Sequence, residues 1–190
     1  MSRLLPLLFV VALLLHTASV GAPVPKETKA LAYFPDKVGA KWVYDFDGKE
    51  ETETVTAVKK EDGSILVTVH KIDEFGETDK VTKVTESGIF IVSGLQLKHP
   101  PSHVLQLPHK ANATWKTWTG TPFLGTSNYT AYGLEEVEVP AGKYKAIRVG
   151  RIDAGDICRT YWYAPDVGLV KYVFECGKTT YTRTLKSFAR

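Results

Sequence analysis

From Ala40 onward, apolar side chains fall mostly on every second position. Trp42, Tyr44 and Phe46 alternate with polar residues such as Lys41, Asp45 and Asp47, and Ile65, Val67 and Val69 repeat the pattern. A period of two places one set of side chains on each face of an extended chain, so these runs predict half-buried β-strands. Thr, Val, Tyr, Ile and Trp dominate them, and branched or ring side chains fit a pleated surface better than a helix. Closely spaced turn signals separate the runs: Phe46-Asp-Gly-Lys49, Glu61-Asp-Gly-Ser64, Val139-Pro-Ala-Gly-Lys143, Pro165-Asp-Val-Gly168 and Cys176-Gly-Lys178 among them. Such spacing favours hairpins over parallel crossovers. The one helical candidate, Lys26 to Ala32, is too short to stand alone. The prediction is an all-β fold: a single strongly curved antiparallel sheet, or half-open barrel, with meander connections. A two-sheet β-sandwich is the alternative.

One stretch interrupts the rhythm. Between Lys98 and Lys110 three prolines, Pro100, Pro101 and Pro108, withhold N–H donors from any ladder. It reads as a loop or crossing segment, with Val104, Leu105 and Leu107 giving it an apolar side that would cover one mouth of the sheet.

The N-terminus follows a different logic. Arg3 precedes an apolar run from Leu4 to Leu15, and small residues follow at Ala18, Ser19, Gly21 and Ala22. That is the layout of a secretory signal peptide, and the run is short of the roughly 20 residues that span a bilayer. Residues 1–22 are therefore assigned as signal peptide, with cleavage between positions 19 and 23. Residues 23–39 form a lead-in segment and 40–190 a single antiparallel β domain. The signal peptide makes the expected location extracytoplasmic, secreted or periplasmic, and no later apolar run is long enough to span a membrane as a helix. With 44% hydrophobic and 24% charged residues, disorder is excluded as the main state. The net charge of +3 is spread without a long basic run, which argues against nucleic acid as a partner.

Three stretches carry a family resemblance: Tyr33-Phe-Pro-Asp-Lys-Val-Gly-Ala-Lys-Trp-Val-Tyr44, Val137-Glu-Val-Pro-Ala-Gly-Lys-Tyr144 and Tyr161-Trp-Tyr-Ala-Pro-Asp-Val-Gly-Leu-Val-Lys171. Together they cover about a fifth of the chain, and they resemble the TapB-like exported family of β-rich bacterial proteins. The resemblance implies extracytoplasmic location and a curved antiparallel sheet. It transfers no catalytic residue. By analogy of fold alone, such sheets also resemble the half-barrels of bacterial lipoprotein carriers, whose concave face holds acyl chains.

Candidate chemistry is sparse. His99, His103 and His109 gather three imidazoles within eleven positions, the donor type zinc and copper favour. Against a metal site, their segment contains no Asp, Glu or Cys, and a solvated proline-rich loop explains it equally well. There is no Gly-x-Ser-x-Gly elbow for a hydrolase. Glu136 and Glu138 alternate with Val137 and Val139, so they read as a solvated strand face and not as paired catalytic carboxylates. The acceptor triplets at Asn112 and Asn128 matter only in a eukaryotic secretory host and are treated as chance. No catalytic residue and no cofactor are assigned.

Trp42, Tyr44, Phe46, Trp162, Tyr172 and Phe174 are the candidate core or ligand-lining aromatics. Cys158 and Cys176 are the only cysteines. A three-residue loop Asp166-Val-Gly168 between them would set Cys158 opposite Cys176, with Arg159 against Glu175, Trp162 against Tyr172 and Tyr163 against Lys171. That register predicts a cross-strand disulfide. A slip of one residue would instead set Cys158 against Glu175 and turn the thiols to opposite faces. The functional expectation is an exported non-enzymatic β domain that binds an apolar ligand, a lipid or a partner in the concave face of its sheet. The alternatives are an extracytoplasmic structural or interaction module with a filled core and, third, a metal-binding or hydrolytic protein.

Overall fold

The structure is a computed structural model that describes residues 33–93, 100–118, 125–153 and 158–190. The assigned signal peptide and the helical candidate at 26–32 lie outside the described residues. Twelve strands follow in order: β1 (Lys41–Phe46), β2 (Lys49–Glu61), β3 (Ser64–Asp73), β4 (Gly76–Thr85), β5 (Gly88–Ser93), β6 (Ser102–Gln106), β7 (Thr114–Trp118), β8 (Thr126–Val139), β9 (Gly142–Ile152), β10 (Cys158–Ala164), β11 (Gly168–Cys176) and β12 (Thr179–Ala189). They form one antiparallel sheet in which each strand pairs with its sequence neighbours and β1 pairs with β12. Only β6 and β7 are not joined by a backbone ladder. The result is an up-and-down barrel, nearly closed, with one seam.

The predicted turn chemistry places the hairpins. Asp47 and Gly48 both adopt positive φ, 50° and 84°, as a two-residue turn matched to the right-handed strand twist demands. Gly177 at φ 60° sets Phe174 opposite Tyr181, and the two rings stack at 5.8 Å.

One end of the barrel is stopped by its own wall. The β10–β11 turn leans across the interior, where Trp42 Nε1 donates to the Val167 carbonyl at 2.7 Å and Tyr44 Oη donates to the Leu169 carbonyl at 2.9 Å. The β8–β9 hairpin closes behind it: Ala141 N donates to the Leu185 carbonyl of β12 at 2.9 Å. Val137, Val139 and Ala146 then pack in one cluster with Ala164, Val170, Leu185, Trp42 and Tyr44. A second cluster joins Tyr33 of the lead-in segment to Val84, Ile89, Leu105, Tyr129, Ile147 and Tyr163.

Two expectations need correction. The stretch expected as a crossing loop contains strand β6, paired with β5; the prolines flank the ladder at 100, 101 and 108 and do not interrupt it. Leu105 and Leu107 supply the buried apolar side foreseen for it. Cys158 and Cys176 form no disulfide. The loop is three residues long, but it is flanked by Ala164 and Gly168, and a bulge between Trp162 and Tyr163 leaves Val170 as the extra residue on β11. Beyond it Cys158 faces Glu175, so the thiols point to opposite faces. Loop and bulge together move the foreseen pairs by one residue: the ring pair and the cation–ring pair reappear with new partners, while Arg159 faces Phe174 and not Glu175. Tyr161 now faces Tyr172 with rings 5.1 Å apart, Lys171 Nζ lies 5.1 Å from the Trp162 ring, and Arg159 lies 4.8 Å from Phe174. Of the six candidate aromatics, Trp42 and Tyr44 are buried, Phe46, Tyr172 and Phe174 are half-buried toward the other end, and Trp162 is half-buried and packs against the first cluster. Its indole N–H donates to Glu135 at 2.7 Å.

Two outcomes check this architecture. Trp42→Ala should cost about 3 to 5 kcal/mol in urea unfolding, because the ring is buried and its N–H anchors the inward turn, while Phe46→Ala should cost clearly less. Under denaturing, non-reducing conditions the protein should titrate with two thiols, and Cys158→Ser with Cys176→Ser should shift stability by only about 0.5 kcal/mol, the range of ordinary partly exposed substitutions.

Candidate functional site

Beyond the apolar stop, the interior of the barrel is charged. On β2, Glu51 and Glu53 continue inward in phase with Val55, and both are buried at 6% and 8% exposure. Lys71 on β3 follows Val67 and Val69 in the same way, and Arg183 on β12 precedes Leu185. Neighbouring strands bring these residues together. Arg183 bridges both carboxylates, with Nη2 2.9 Å from Glu53 Oε1 and Nε 2.5 Å from Glu51 Oε2. Lys71 Nζ lies 3.0 Å from Glu51 and 2.8 Å from Asp73, and Lys80 Nζ lies 3.8 Å from Glu53. The guanidinium also covers the Tyr44 ring at 3.6 Å.

The electrostatics follow from burial and pairing. For Glu53, burial is the largest influence and opposes ionisation, but Lys80 and Arg183 together reverse it and hold the carboxyl down at about 2. Burial likewise opposes the charge on Arg183, and Glu53, Tyr44 and Glu51 outweigh it, so the guanidinium is held charged. Burial pushes the Tyr44 phenol well up, with Glu53 adding to the effect, so the hydroxyl stays a donor to Leu169.

A second cluster sits on the far wall. Asp153, whose side chain is wholly buried, pairs with Arg151 Nε at 2.7 Å, with Arg159 Nη1, and with the Ser127 hydroxyl. Arg151 Nε also donates to Ser127 Oγ at 3.0 Å. Tyr129 and Tyr161 stand beside these arginines, and burial raises both phenols.

One cavity lies between the apolar stop and the charged network. The cavity bounded by Phe34, Trp42, Tyr44, Glu53, Lys80 and Leu169 holds about 60 Å³, against the roughly 300 to 1,000 Å³ of small-molecule pockets.

Two of the three histidines weighed as metal donors are described. His99 lies outside the described residues. His103 on β6 stacks on Phe90 with ring centroids 4.1 Å apart, and its ring lies 5.8 Å from Trp115. His109, in the link to β7, is half-buried and has its pKa lowered by burial. Among the described residues no group of three His, Cys, Asp or Glu is placed to hold an ion. Glu136 and Glu138 are exposed and Val137 and Val139 buried, as alternation requires.

The charged interior went unrecognised in the sequence, although a signal for it exists. Carrying the inward phase of Val55, Val69, Leu185 and Val149 along their own strands leads to Glu53, Lys71, Arg183 and Arg151.

No family model matches the chain, and no curated protein matches it either. Solved structures do. A candidate exported protein with a YmcC-like fold from Bacteroides fragilis superposes with a TM-score of 0.58 at 14% identity, covering 83% of this chain and 99% of that one. A candidate lipoprotein from Parabacteroides distasonis gives a TM-score of 0.56 at 12% identity over 86% of this chain and 100% of that one. The chain shares their fold.

The buried network sets a pH dependence. Glu53 is depressed from an ordinary value of 4.5 to about 2, so its contribution to stability is complete above about 4.5 and is lost as pH falls through 2. Glu53→Gln should flatten the acid limb of the stability curve between those values. Glu53→Ala should cost about 3 to 5 kcal/mol at neutral pH, because it strands Arg183 without one of its counter-charges. Urea unfolding across pH 2 to 7 measures both.

Proposed function

We propose that this protein is an exported, non-catalytic β-barrel module that works through its outer surface and rims, with its interior reserved for holding the barrel together. The observation that carries this reading is the content of the lumen. Glu51, Glu53 and Asp153 are buried there in ion pairs with Arg183, Lys71, Arg151 and Arg159. An acyl chain entering that space would strip charged groups of partners without restoring them, at a cost of several kcal/mol per ion. Export is supported by the N-terminal pattern of residues 1–22, by the resemblance to the TapB-like exported family, and by neighbours in fold that are themselves candidates for export.

Titration of the mature protein with a fluorescent long-chain fatty acid tests the reading. No saturable signal displaceable by the unlabelled acid is expected. Stoichiometric displaceable binding, or a lipid retained in native mass spectrometry of protein from its own host, would overturn it in favour of a carrier.

A further inference from the structure

The barrel is held by backbone ladders everywhere among its described strands except between β6 and β7, and there the bonds run through side chains. Ser102 Oγ donates to the Trp118 carbonyl at 2.7 Å, His103 N donates to Thr117 Oγ1 at 3.0 Å, and Trp115 Nε1 donates to the His103 carbonyl at 2.8 Å. Two of these three bonds use the backbone of a single residue. The ring of that residue is built into the same place. His103 lies flat on Phe90 of β5, with an interplanar angle of 14°, and leans on Trp115 of β7, which in turn stacks on Tyr129 of β8 at 5.3 Å. Gly88 makes room for it: a Cβ there would fall 2.5 Å from His103 Nε2 and 2.0 Å from the Leu105 carbonyl.

We propose that His103 is a proton-operated latch: its neutral ring, wedged between Phe90 and Trp115, holds β6 against β7, and protonation loosens the seam. The environment suits a neutral ring. His103 Nε2 is buried without a hydrogen-bond partner. Burial pushes the imidazole pKa down, opposed by the carbonyls of Ser87 and Leu105. From β5 the ring meets Phe90, from β7 Trp115, and from the β4–β5 turn and β6 the backbone of Ser87, Gly88 and Leu105. Tyr129, one ring further away, is the nearest titratable side chain in that stack, and no carboxylate among the described residues acts on the imidazole. The aromatic faces attract a cation weakly, and the Ser87 and Leu105 carbonyls are the acceptors that act on the ring, so it is the burial of the ring and of Nε2 that sets the balance against the charged form.

The sign follows from linkage. A histidine depressed in the folded state takes up its proton more readily when released, so the latch is fully engaged above the ordinary value of 6.5 and weakens as pH falls below it. Because the seam has no ladder, the local opening at β6 and β7 feels that weakening first.

Amide hydrogen exchange at pH 7.5 and pH 5, corrected for intrinsic rates, tests the latch on the full mature chain. Exchange in 102–106 and 114–118 should rise several-fold in acid relative to β2 and β3. His103→Phe, which keeps a flat apolar ring and cannot take a proton, should abolish that difference. Equal acid sensitivity in wild type and His103→Phe overturns the proposal. If the variant fails to fold, an NMR titration of the wild-type ring decides: a pKa below 6.5 with seam protection falling as the ring titrates supports the latch, and a pKa at or above 6.5, or unchanged protection through the titration, refutes it.

Discussion

A twelve-stranded sheet that closes on itself encloses more space than side chains alone can fill. Barrels of about eight strands are just narrow enough to be packed by inward residues, and those of sixteen or more hold water. Here the excess is removed by folding the wall inward. The bonds from Trp42 and Tyr44 to the carbonyls of Val167 and Leu169 pull the β10–β11 turn across the lumen, and the bulge at Trp162/Tyr163 lets it bend there. That displacement opens a place beside β12, which the β8–β9 hairpin occupies through Ala141 and Leu185. The two apolar clusters and the position of the ion network follow from that one turn.

The opposite half of the lumen is filled with charge, and charge is a costly filler. A buried ion pair recovers its desolvation only when the geometry satisfies both partners, and an apolar replacement is often as stable. What the network supplies is register. Glu53 faces Lys71 across β2 and β3, and Arg183 reaches both glutamates from β12, across β1. A slip of one residue in any of these strands would turn a charged group out and an exposed one in, so the network penalises misregistration where Thr-rich strands carry little apolar pattern of their own.

Much of this was legible from the chain. Alternation, ring-rich runs and Gly-containing turns led to a curved antiparallel meander, and the Cys176-Gly-Lys178 signal falls at the turn between β11 and β12. The failures have separate causes. The β10–β11 loop is flanked by Ala164 and Gly168 instead of Pro165 and Leu169, and a bulge, which changes register without changing composition, passes over Val170, so the pairing of Cys158 and Cys176 fell with the two together. In Lys49–Val55 charged and hydroxyl residues alternate on both faces, and only the phase borrowed from Val55 marks Glu51 and Glu53 as interior. The prolines around β6 were misread because their exclusion from ladders does not extend to strand ends.

The seam is where these constraints meet. An open sheet of this size presents two edges, each a template for pairing with another chain, and natural sheets cover, shorten or charge such edges. In this barrel β6 and β7 are both five residues long, and each is the other's cover. Side-chain hydroxyls of Ser102 and Thr117 and the indole of Trp115 take backbone groups that a ladder would otherwise have claimed. Three such bonds and a ring stack hold this line with fewer cooperative contacts than any neighbouring ladder, so the barrel is closed against aggregation while its closure stays the least stable line around the wall.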